Sequence, residues 1–127
     1  MQNISIKAGT NATISITPKI GGKVATLNQL AGVTIYVFFV YQFTNKIYGS
    51  PYEITADSSY SSTNTLTVNL TPKETLDMLG NAEENQRFEI QFAIKDADGQ
   101  IIAENKSSVA INIVRWEAGE WLHQHSI

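Results

Sequence analysis

Apolar residues in this chain recur at every second position, in run after run. Ile4 and Ile6, Ile14 and Ile16, Leu66, Val68 and Leu70, Phe88, Ile90, Phe92 and Ile94, and Val109, Ile111 and Ile113 are each separated by a polar or small residue. Successive side chains of an extended strand point to opposite faces, so a period of two puts one face on a core and the other toward water. A helix with this pattern scatters its apolar residues around the axis and buries none of them together. The runs therefore predict half-buried strands, and they are filled with Thr, Val, Ile and aromatic residues that suit a pleated surface. Turn residues part them at Gly9-Thr10-Asn11, at Pro18 with Gly21-Gly22, at Gly49-Ser50-Pro51 and at Asp96-Ala97-Asp98-Gly99, the last a hairpin turn. About seven short strands so spaced predict a sandwich or barrel.

One segment breaks the alternation. Thr71-Pro72-Lys73-Glu74 has the form of a capping box, with Thr as N-cap, Pro at the first helical position and Glu two residues later. Leu76 and Leu79 then share a face, and Gly80 suits a helix stop. This predicts a short helix over residues 72–79, while Ser58 to Thr63 reads as a loop. With 127 residues the chain can enclose one core, burying roughly two thirds of its unfolded surface. Its 43% hydrophobic and 17% charged content excludes disorder.

Composition also narrows the chemistry. Nine Lys and Arg against a net charge of -3 form no basic surface for phosphates, so no nucleic-acid partner is expected. The absence of cysteine removes disulfides, thiolate metal sites and thiol catalysis. No basic stretch leads into an apolar core near Met1, so no signal peptide is expected. The longest apolar run, Val33 to Tyr41, is interrupted by Thr34 and is far short of the roughly 20 residues of a membrane-spanning helix. No membrane partner is expected.

Two stretches are more apolar than a simple sandwich needs. In Val33 to Gln42, Val33, Ile35, Val37, Phe39 and Tyr41 form one face. Tyr36, Phe38 and Val40 make the opposite face apolar as well, the pattern of a strand covered on both sides. The cover is a loop or the terminus of the same chain, or another subunit. Residues 115–127 form a tail beyond a 1–114 sandwich, and they hold both tryptophans, Trp116 and Trp121, with Leu122 and Ile127. Trp buries a large area and is enriched at interface anchors, so the tail either folds back onto its own sandwich or docks into a neighbour. Tyr36, Phe38, Val40, Trp116, Trp121, Leu122 and Ile127 are the expected partner contacts.

The order of elements resembles a known family. Ile6-Lys7-Ala8-Gly9-Thr10 ends a first strand, Leu30-Ala31-Gly32-Val33-Thr34-Ile35 opens the long central one, and Leu70-Thr71-Pro72-Lys73-Glu74-Thr75 leads into the short helix. Phe88 to Ile94, the Asp98-Gly99 turn and a final strand follow. Over residues 3–114 this is similar to the immunoglobulin-like N-terminal domain of upper baseplate and related virion proteins of tailed bacteriophages. The resemblance implies an immunoglobulin-like antiparallel β-sandwich of about seven strands and a non-catalytic assembly module. It implies multi-copy contact with other virion proteins, major capsid or tail, in a particle assembled in the host cytoplasm. Baseplate members continue into further domains, whereas this sequence stops thirteen residues after the last strand. A capsid auxiliary (decoration) or adaptor role is therefore expected first, with a tail or baseplate module as the alternative.

Residues with catalytic or ligating chemistry do not converge in the sequence. His123 and His125, with Glu117 or Glu120, could hold zinc only if an extended tail aligned them. Asp96-Ala97-Asp98-Gly99 lacks the glycine and acid spacing of a calcium loop. No serine sits in a nucleophile elbow, and nothing singles out a carboxylate pair. No catalytic residue, metal or cofactor is expected. Tyr48, Tyr52 and Tyr60 could form the aromatic platform of a carbohydrate- or cell-surface-binding module, a further alternative.

Overall fold

The computed structural model describes residues 2–125, apart from the side-chain environments of Gln2, Gly119 and His123. Ile127, one of the expected contacts, lies outside the described residues. Ten strand segments occur among them: β1 (Gln2–Lys7), β2 (Ala12–Ile16), β3 (Lys19–Ile20), β4 (Lys23–Val24), β5 (Thr34–Tyr41), β6 (Tyr52–Ile54), β7 (Leu66–Leu70), β8 (Asn85–Lys95), β9 (Ile101–Lys106) and β10 (Val109–Val114). Three helices join them: α1 (Tyr60–Thr63), α2 (Pro72–Leu79) and α3 (Glu117–Gln124).

The large sheet runs β1-β10-β8-β5-β6, with β9 on the same side of β8 as β10. β10 pairs with the start of β8, Ile111 opposite Phe88, and β9 with its end, Gln91 opposite Lys106. Ser107 and Ser108 bulge between them, and Ser107 N–H still reaches the Ile90 carbonyl at 2.8 Å. β9 and β10 are thus one interrupted strand. Counted so, and with the small β3–β4 hairpin set apart, the fold has seven strands. The second sheet is the antiparallel pair β2–β7. All pairings are antiparallel except β1 with β10. The chain is an all-β sandwich of one large and one small sheet.

The core lies between the sheets, and the alternating runs supply it. Ile14, Ile16, Val68 and Leu70 from the small sheet face Ile35, Val37, Phe39, Phe88, Ile90, Phe92, Ile94, Ile111 and Ile113, all buried. α2 forms where the capping box predicts. Thr71 Oγ1 accepts from Glu74 N–H, Glu74 accepts from Thr71 N–H, and Gly80 at φ 58° ends the helix. Two further helices correct the expectation of one. α1 occupies the stretch read as a loop, because Tyr60 is buried there and its hydroxyl donates to the Ala25 carbonyl at 2.6 Å. α3 occupies the tail.

Candidate docking surface

α3 is built from a weak sequence. Its N-cap, Trp116, offers no side-chain acceptor, and Gly119 in its first turn is a poor helix former, roughly 1 kcal/mol worse than Ala in a helix interior. Eight residues alone do not hold a helix in water. Glu117 and Glu120 in the first turn help by complementing the helix dipole. The rest comes from Arg115. Its backbone N–H donates to the Glu84 carbonyl at 2.8 Å, Nε to the Glu83 carbonyl at 2.7 Å and Nη2 to the Ala82 carbonyl at 2.8 Å. Nη1 pairs with Glu120 at 2.6 Å. One planar guanidinium thus ties the helix to the loop before β8, the geometry in which Arg outperforms Lys. Trp116 is half-buried, with Lys7 Nζ 5.4 Å from its ring centroid.

Held this way, α3 turns large apolar side chains outward. Trp121 is 53% and Leu122 50% exposed. His125 stacks on Trp121 at 4.3 Å and bonds the Trp121 carbonyl through Nδ1. The tail is helical, so the extended alignment that a His123–His125 zinc site needs is absent, and the His123 side chain lies outside the description. Among the described residues no three His, Asp or Glu side chains gather as metal ligands. Asp96 Oδ1 accepts from the backbone N–H of Asp98 and Gln100, which makes that segment a turn.

The outer face of β5 is less open than its sequence suggests. Val40 is buried, only 5% exposed, because the chain returns beside it and Ile47 bridges it. It is not available to a partner in this conformation. Tyr36 and Phe38 are half-buried. Lys95 Nζ lies 5.1 Å from the Tyr36 ring centroid. Glu53, in register with Tyr36 on β6, pushes the tyrosine hydroxyl up. Phe43 is the aromatic that the alternation missed. It projects from the turn after β5, is 84% exposed, and rims a shallow depression of about 350 Å³ with Asn85, Gln86 and Arg87. A lone aromatic between Gln42 and Thr44 was the available signal.

The three tyrosines of the alternative platform are engaged inside the molecule. Tyr60 is in the core. Tyr48 donates to Asp77 at 2.9 Å and Tyr52 to Glu74, fastening the β5–β6 turn to α2. Burial first, and then these carboxylates, push both phenols far up. Burial pushes Glu74 up, but the bonds from Tyr52 and Thr71 outweigh it and hold it low. An open groove of about 640 Å³ between β2, the β3–β4 hairpin and β9 is lined by Ser15, Thr17, Asn105 and Lys106 among others. No helix among the described residues is long and apolar enough to cross a membrane. No protein-family model matches the chain, and no curated protein matches it.

Proposed function

We propose that this chain is a non-enzymatic virion structural protein, a capsid auxiliary (decoration) or adaptor protein of a tailed-bacteriophage particle. It joins its assembly through the C-terminal helix. The observation that carries the docking role is α3 itself: a helix fixed by Arg115 with Trp121 and Leu122 half-exposed on it. Ordering these side chains before contact lowers the entropy cost of binding. The resemblance over residues 3–114 supplies the virion setting. Many copies acting together need only modest affinity each. The tail or baseplate alternative differs only in where the particle holds the chain; the carbohydrate alternative has less support, since Tyr60 is buried and the hydroxyls of the half-buried Tyr48 and Tyr52 are bonded to Asp77 and Glu74.

The test is a double variant, Trp121→Asp with Leu122→Asp, added to particles lacking the protein. Thermal unfolding is expected to stay unchanged while co-sedimentation with particles is lost. Retained co-sedimentation overturns the docking role. Labelling the bound protein by electron microscopy then separates capsid from tail.

A further inference from the structure

We propose that the surface receiving α3 is the Phe43 end of the large sheet on a second copy of this chain, each copy lending its helix to the other. This rests on the reading of α3 as a docking element. Position supports it first. β10 ends at Val114 opposite Asn85, and the last β5 residue, Tyr41, lies opposite Phe88. The helix that follows β10 and the turn that follows β5 therefore stand at the same end of the sheet. Two copies meeting end to end about a two-fold axis bring each helix to the other's turn, a self-complementary contact.

Shape and charge agree with position. Phe43, at 84%, is the most exposed of the large apolar side chains described, and a shallow depression floored by Asn85, Gln86 and Arg87 lies beside it. Trp121 and Leu122 offer apolar surface to pack on Phe43 at its rim, above a floor of polar side chains. A stable interface buries about 1,600 Å² over both partners, with aromatic anchors at its centre. Two-fold symmetry supplies Phe43, Trp121 and Leu122 twice. Glu117 is exposed on the first turn of α3, and Glu120 is already taken by Arg115. Arg87 in the depression and Lys46 at the turn are exposed. Among the described residues none of Glu117, Arg87 and Lys46 forms an ion pair. Glu117 can thus pair with Arg87 or Lys46 across the contact, with the exposed Glu83 and Glu84 at its margin.

Analytical ultracentrifugation of the full chain tests this. The unaltered protein is expected to form a dimer. Phe43→Asp and Trp121→Asp are each expected to make it monomeric with an unchanged far-UV circular dichroism spectrum, and to remove the concentration dependence of its thermal unfolding. Arg87→Glu and Glu117→Arg, made singly, are expected to weaken dimerisation about tenfold or more, and together to restore it. An unaltered chain that stays monomeric at all concentrations overturns the inference, as does a dimer indifferent to Phe43 and Arg87. Binding to particles separates the two readings. If Trp121→Asp abolishes it and Phe43→Asp does not, α3 docks on another protein: the pairing of copies is wrong and the docking role stands. If neither variant affects particle binding, both are wrong.

Discussion

Helices α2 and α3 are both eight residues long, and both carry an acidic residue in the first turn. α2 has a complete capping box and buries Thr75, Met78 and Leu79. α3 has no side-chain cap and leaves Trp121 and Leu122 half-exposed. The difference lies in what the rest of the chain offers each one. α2 crosses the open edge of the sandwich, where Tyr48, Tyr52 and the Gly9–Thr10 turn all bond to it. α3 touches α2 at a few positions and is otherwise held through Arg115, whose N–H groups reach three loop carbonyls. A helix tied by polar contacts at one end can be ordered and still present its apolar side chains.

If that contrast is right, equal deletions in the two helices have unequal costs. Met78→Ala removes a side chain with no exposed surface and is expected to cost about 2–5 kcal/mol in chemical denaturation. Thr75→Val is next. Thr75 Oγ1 accepts from Gly9 N–H at 3.0 Å and donates to the Thr10 carbonyl at 2.7 Å. The near-isosteric valine leaves both without that partner, an expected loss of about 1–3 kcal/mol.

Acidity probes the same seam more gently. Tyr48 and Tyr52 have folded values raised above 10.0, so their contribution to stability is complete below pH 10 and is lost as pH rises beyond it. Glu74 has a folded value below 4.5, so its contribution is present above pH 4.5 and is lost as pH falls through the folded value. Thermal unfolding against pH is expected to show a plateau with both shoulders. Replacing both tyrosines with Phe is expected to reduce the alkaline one, while Tyr41 and Tyr60, raised by burial as well, retain part of it. An unchanged alkaline shoulder breaks the assignment. The smallest effect belongs to α3: Leu122→Ala is expected to shift stability by no more than about 0.5 kcal/mol, and a loss comparable to Met78→Ala would make α3 part of the core.

α2 was legible residue by residue, because a capping box is a local device that needs only Thr71, Pro72 and Glu74. The strands were legible because burial on one face imposes alternation. α3 was not, since its order comes from Arg115 reaching carbonyls more than thirty positions earlier, a contact with no local pattern. α1 escaped for a similar reason: Tyr60 in a serine-rich stretch finds its partner at Ala25. The apolar count on β5 was right, but the fate of Val40 depended on the return of Ile47, which nothing in Val33 to Gln42 encodes. Phe43 stood outside every periodic run and was passed over.

The parallel pairing of β1 with β10 has a consequence in time. Gln2 lies beside Val109, 107 positions later. At roughly 5–20 residues per second of synthesis, β1 waits about 5–20 seconds for the strand that completes it. β2 can meet β7, and β5 can meet β8, while elongation continues. Ile4 and Ile6 meanwhile remain on an unpaired edge, the kind of segment that invites contact with other nascent chains. A delay in translation anywhere between β1 and Val114 would lengthen that exposure.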